Sequence, residues 1–249
     1  MSRVIIAFII SLLAGLSTCI GALFTWIKPR NINNFIGTTL AFSGTIMILI
    51  SITELIPQGF YYLNSKYNAL LAVLSLILMI ILGIVINSVI NKKISHKVEE
   101  KGDLYKVGIL SMIVLLIHNL PEGILTFLSS TIDTKLGIKM AIAISLHNIP
   151  EGIAISVPIY YSTYSHRKSV VGSLISGFSE PFGALIAYLF LYKYITNTMI
   201  SFILLFVAGL MISISINEIF DETKKYTKKS ILFGVVVAFI LIIISKVFF

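Results

Sequence analysis

The sequence predicts an all-α membrane protein of eight transmembrane helices. They form an inverted repeat in which helices 1–3 match helices 6–8 and helices 4 and 5 pair. Three observations carry this reading. The 249 residues are 57% hydrophobic and only 12% charged, with a mean hydropathy of +0.99. A water-soluble domain carries about 25% charged residues, so this chain cannot cover a globular surface and must be solvated by lipid. Apolar runs near the roughly 20 residues that a spanning helix needs recur eight times. Finally, short polar motifs inside those runs recur along the chain.

The first run, 4–27, follows Arg3. Its "LSTC" (16–19) resembles a lipoprotein cleavage site. The run is long for a signal core, however, and Thr18 stands where a smaller residue is usual, so a retained span is expected. The second run, 35–57, follows "KPRNINN", and the third is 69–90. The longest link, "NKKISHKVEEKGDLYK" (91–106), is read as a flexible cytoplasmic loop. The fourth and fifth spans are 107–128 and 137–160, and the last three are 170–192, 199–220 and 231–248. No soluble domain fits between them, so residues 1–249 form one transmembrane domain.

Cys19 is alone, which excludes a disulfide framework and a cysteine-based zinc site. The net charge of +8 is read as loop lysines facing anionic lipid, with no nucleic acid as partner. The links after spans 1, 3, 5 and 7 hold 13 of the 19 Lys and Arg residues. By the positive-inside rule those links face the cytoplasm and both termini lie outside.

Five of the eleven acidic residues fall inside spans: Glu54, Glu122, Glu151, Glu180 and Glu218. His118 and His147 join them. No Lys or Arg lies deep in any span. A carboxylate at a helix centre costs about 2.5–3.5 kcal/mol on insertion scales, and a bound divalent cation is the simplest compensation. "HNLPEG" (118–123) sets His118 and Glu122 one turn apart on one helix face, with Asn119 beside Glu122. "HNIPEG" (147–152) repeats every element with His147, Asn148 and Glu151. Pro121 and Pro150 disturb the helical hydrogen bonds locally, while Gly123 and Gly152 admit a neighbouring helix. Imidazoles mixed with carboxylates and amides suit a range of first-row divalent ions. In the sixth span "GFSEPFGA" (177–184) brings Glu180 within reach of the same cluster.

A second repeat relates spans 2 and 7. "FSGTIMILISITE" (42–54) and "FVAGLMISISINE" (206–218) share Phe42/Phe206, Met47/Met211, Ser51/Ser215 and Glu54/Glu218 at identical spacing. The two spans run in opposite directions, the pattern of an inverted-topology transporter repeat. Glu54 falls near the outer end of its span and Glu218 near the inner end of its own. They are read as receiving and releasing an ion, with Met47, Ser51, Met211 and Ser215 as secondary pathway positions. An intramembrane metal hydrolase is disfavoured, because "HExxH" is missing and the two ligand sets are symmetric.

These residues resemble the signature of the ZIP (Zrt/Irt-like) family of divalent metal transporters. "AFSGTIMILISITELIP" (41–57), "SGFSEPFGA" (176–184) and "AGLMISISINEIF" (208–220) are similar to its bacterial ZupT branch. The resemblance implies a transporter, not an enzyme, in the plasma (inner) membrane, with no cofactor. Its cargo would be zinc, with iron, manganese, cobalt and cadmium as further ions. It implies a two-metal centre: His118, Glu122, His147 and Glu151 hold the main ion, with Met47 nearby. Asn119, Asn148 and Glu180 complete a second site, bridged by Glu122 and Glu151. It also implies elevator-like movement of the site-bearing helices and, since homodimers are common in the family, a second copy of the chain as partner. Relatives often have Asp and Pro where this chain has Asn217 and Asp221. The link after span 3 holds only His96, so weak metal sensing is expected there, and His166 is expected to be a solvated loop residue.

Overall fold

The computed structural model describes residues 3–98, 102–191 and 196–248. Among them are eight helices long and apolar enough to cross a membrane: α1 (Arg3–Trp26), α2 (Ile32–Asn64), α3 (Ala69–Ile94), α4 (Asp103–Ile132), α5 (Gly137–Thr163), α6 (His166–Phe190), α7 (Asn197–Thr223) and α8 (Lys228–Ser245). No strand occurs among the described residues. The short polar links serve as helix caps. Asn31, Asn68, Ser165, Thr196 and Thr227 each accept the backbone N–H three residues on, opening α2, α3, α6, α7 and α8. Asp133 caps the turn that leads into α5. Such caps satisfy helix N–H groups that would otherwise lack partners.

The helices sort into two groups. The closest pairing is α4 with α5, and α1 and α6 pack against that pair. In the second group α2 packs on α8 and α3 on α7. Exchanging helices 1–3 with 6–8 and 4 with 5 maps α4–α5 onto itself and each of the other pairings onto another, as an inverted repeat requires. α3 and α8 lie at the periphery, where Leu70, Leu74, Leu78, Leu232, Phe233 and Ile243 are exposed. That is the surface a lipid solvent accepts and water does not.

The repeat extends into local geometry. α2 widens into a π turn at Ser51–Leu55 and α7 at Ser215–Ile219, the same place in both copies. Ser51 Oγ donates to Met47 O at 2.8 Å, and Pro57 follows, both of which loosen the α-helical ladder. The second copy has no proline, so the widening belongs to the repeat itself. α1 breaks at Ser17 and α6 at Phe178. The adjoining hydroxyls behave alike, Ser17 Oγ donating to Ala14 O and Ser179 Oγ to Ser176 O.

That correspondence exposes a repeat missed in the sequence reading. "SLLAGLSTCIGA" (11–22) and "SLISGFSEPFGA" (173–184) agree at six of twelve positions. Two other expectations need correction. The link 91–106 is largely helical: one helix continues to Val98 and the next starts at Asp103, because its lysines are good helix formers once beyond the apolar run. His166 is only partly exposed and opens α6. Its ring stacks between Trp26 and Tyr160, at centroid distances of 4.3 and 4.4 Å, and its Nδ1 lies 3.0 Å from Thr25 Oγ1. The side chain of His96 lies outside the described residues.

Candidate metal centre

The two HN-x-PEG motifs face each other across the α4–α5 contact, midway along both helices. Pro121 and Pro150 are accommodated inside continuous helices. The carbonyl of Pro150 accepts a 2.7 Å hydrogen bond from Ser43 Oγ of α2. Gly123 and Gly152 let α6 and α1 approach closely: a Cβ on Gly123 would collide with the Glu180 carbonyl, and one on Gly152 with the Thr18 carbonyl.

The motif side chains converge. His118 Nε2 lies 3.2 Å from Glu122 Oε1 and 3.3 Å from Glu151 Oε1, and His147 Nε2 lies 2.9 Å from Glu122 Oε1. The ligand atoms of His118, Glu122 and His147 all fall within 4.8 Å of one another. Bonds of 2.0–2.1 Å to a tetrahedral zinc ion would set neighbouring ligand atoms about 3.3 Å apart, so the pocket matches that scale before any movement.

Asn148 Nδ2 donates to Ala14 O at 3.0 Å and also to Glu180 Oε1. This joins Glu180 of α6 to the cluster. Asn119 is best satisfied with its amide nitrogen donating to Glu151 Oε2 and Leu115 O, each at 3.1 Å. All seven side chains are buried except His147, which is 12% exposed. Glu122 Oε2, Glu151 Oε1, Glu180 Oε2, Asn148 Oδ1 and His118 Nε2 have no hydrogen bond. Three carboxylates beside orphaned acceptors and no lysine or arginine make a strongly cation-seeking pocket, since uncompensated buried ions cost several kcal/mol each.

The secondary residues divide between the two ends of the bundle. Glu54 is exposed and shares a cavity of about 30 Å³ with His147, Ile50, Leu146 and Ser245, enough for a water molecule. Met47 and Met211 are fully buried in the apolar core with Ile46, Ile50 and Leu210. Ser51 spends its hydroxyl on its own helix, whereas Ser215 Oγ is buried without a hydrogen bond. Glu218 is buried, accepts from Asn91 Nδ2 and pairs with Lys106 Nζ at 3.5 Å.

The pairing at Glu218 was not anticipated, and it is part of a larger clasp. Lys225 Nζ binds Asp103 Oδ2 at 2.7 Å and Glu222 Oε2 at 2.8 Å. The first turn of α4 thus contributes Asp103 and Lys106, and the end of α7 with its link contributes Lys225 and Glu218, in reciprocal ion pairs. Partial burial opposes the charge on Lys225, but the two carboxylates outweigh it and raise its affinity for the proton. Burial, and then Glu222, push Tyr226 up to about 12. The Glu218–Glu222 spacing, one helical turn, was the available signal.

Comparison with known proteins agrees with this architecture. The family model described as "ZIP Zinc transporter" matches residues 91–244. A zinc transporter ZupT from Streptococcus mutans is 35% identical over 256 residues, covering 98% of this chain and 97% of the relative. Those from Oceanobacillus iheyensis and Clostridium perfringens are 33% and 31% identical, over 98% and 100% of this chain and 98% of each relative. The chain therefore belongs to the ZIP zinc transporter family, a family of transporters and not of enzymes.

Proposed function

We propose that this chain carries divalent metal ions, zinc foremost, across the plasma membrane into the cytoplasm through a binuclear centre at mid-depth. The observation that carries the reading is the buried convergence of His118, Glu122, His147 and Glu151 with no Lys or Arg beside them. The named relatives are zinc transporters, which supports zinc as cargo. The mixed nitrogen and oxygen donors also suit iron, manganese, cobalt and cadmium. His118, Glu122, His147 and Glu151 hold the first ion. Asn119, Asn148 and Glu180 hold the second, with Glu122 and Glu151 as bridges. No cofactor is required.

The ion enters past Glu54 and meets His147, the most accessible ligand. The site-bearing helices α1, α4, α5 and α6 then move as a block against α2, α3, α7 and α8, in an elevator-like step. For α4 to move relative to α7, the Lys106–Glu218 and Lys225–Asp103 pairs must open, and opening frees Glu218 to receive the departing ion. Exchangeable ligands of moderate affinity allow both capture and release. The Lys and Arg distribution puts the clasp on the cytoplasmic side and both termini outside. The exposed apolar faces of α3 and α8 suit lipid and a second copy of the chain.

The test is uptake of labelled zinc by vesicles containing the purified protein, with the other metals as competitors. Zinc uptake inhibited by iron, manganese, cobalt and cadmium is expected. Vesicles no more permeable to zinc than protein-free ones would overturn the proposal.

A further inference from the structure

Thr18 and Glu180 hold equivalent positions in the 11–22 and 173–184 repeat, and the structure makes the equivalence physical. Where α1 crosses α6, Gly15 and Gly177 meet. A Cβ on Gly15 would lie 3.2 Å from Glu180 Cβ, and a Cβ on Gly177 would lie 3.4 Å from Thr18 Cβ. The Glu180 carbonyl packs on Gly123 and the Thr18 carbonyl on Gly152. Gly183 meets the Leu120 carbonyl as Gly21 meets that of Ile149. The Asn148 amide reaches Ala14 O, and the Asn119 side chain lies beside Ser176, the residue that matches Ala14. The backbones of the two residues are therefore packed equivalently about a local two-fold axis. Glu180 meets Asn148, and Asn119 is the residue that matches Asn148 in the other half of the repeat.

A second observation points to a ligand. Thr18 is fully buried and its Oγ1 has no hydrogen bond. On the same helix Ser17 and Thr25 satisfy theirs on nearby carbonyls, whereas Ser11 Oγ is also without a hydrogen bond. A buried hydroxyl normally finds a partner, so this one is free to accept an incoming ion as its partner.

We propose that Thr18 Oγ1 is a neutral oxygen ligand of the second divalent ion, the counterpart of Glu180 across the axis. This rests on the binuclear reading above. Its chemical sense lies in charge. Glu122, Glu151 and Glu180 supply three negative charges against the four positive charges of two divalent ions. A carboxylate at position 18 would complete the balance and hold the second ion tightly. A hydroxyl offers an oxygen without that charge and leaves the second ion exchangeable.

Calorimetric titration of the purified protein with zinc alone tests the idea. The wild type is expected to bind two ions in resolvable steps. Thr18→Val keeps the shape and removes the oxygen. It should weaken the second step about tenfold, the low end for an altered metal shell, leaving the first step and the metal-free melting temperature unchanged. Thr18→Ser should restore the second step, and Thr18→Asp should tighten it and slow zinc release. A Thr18→Val protein that binds both ions like the wild type overturns the proposal, as does one weakened equally in both steps. A wild type that binds a single zinc overturns the binuclear reading itself, a distinguishable result.

Discussion

Replacing Glu122 by Gln keeps the side-chain shape and removes one charge from the middle of the centre. Glu122 Oε1 lies 3.2 Å from His118 Nε2 and 2.9 Å from His147 Nε2, so it is the group shared by the two motifs. Four-ligand zinc sites bind with apparent free energies of about 10–16 kcal/mol, or roughly 3 kcal/mol per ligand. At about 1.4 kcal/mol per tenfold change, the loss of one ligand weakens zinc roughly a hundredfold. Suppose zinc is held at a hundred times the native Kd. Binding then stabilises the wild type by about 2.7 kcal/mol, whereas the variant, now near its own Kd, gains about 0.4 kcal/mol. Without metal the order reverses or vanishes, because Gln removes a buried carboxylate that has no Lys or Arg partner. Thermal unfolding in detergent, with and without buffered zinc, measures both numbers. An undiminished zinc-induced rise in melting temperature in Glu122→Gln would refute the placement of the ion between His118 and His147.

Four further outcomes follow from the geometry. Lys106→Glu sets a second carboxylate against Glu218 and should lower the melting temperature, and the exchanged pair Lys106→Glu/Glu218→Lys should recover most of the loss. No recovery in the exchanged pair would show that the contact is incidental. Glu54→Gln should raise the zinc concentration for half-maximal uptake a few-fold at low ionic strength and less at high ionic strength, as for a steering charge. A loss independent of salt would contradict that role. Gly123→Val drives a side chain into the Glu180 carbonyl and should cost at least about 1–3 kcal/mol, read as a lower melting temperature. The proton affinity of Lys225 is raised, so its ion pairs are fully present below about pH 10.4, its unfolded value, and are lost only as pH climbs through the raised one. Lys225→Gln should therefore leave the shape of the uptake profile between about pH 6 and 9 unchanged, and a new inflection there would contradict the sign of this shift.

The fold was legible because each span announces itself by its apolar length and each link by its polar residues. The centre was legible because His118–Glu122 and His147–Glu151 carry the same helical spacing twice. What escaped notice was non-local or hidden by substitution. Lys106 counts as a link residue in sequence, yet the start of α4 brings it to Glu218, 112 positions away. The α1 copy of the α6 motif was masked because Thr18 and Cys19 replace Glu180 and Pro181, the two residues that made the α6 copy conspicuous. The π turns shift a hydrogen-bond register, which leaves little trace in hydrophobic periodicity. His166 opens α6, and nothing local reveals that Trp26 comes to stack on it.

The most direct measurement is labelled-zinc uptake into vesicles reconstituted with equal amounts of folded wild-type protein and of the Glu122→Ala/Glu151→Ala variant. The account predicts saturable uptake by the wild type and only background by the variant, since both bridging carboxylates are gone. Uptake by the variant at the wild-type rate would contradict it.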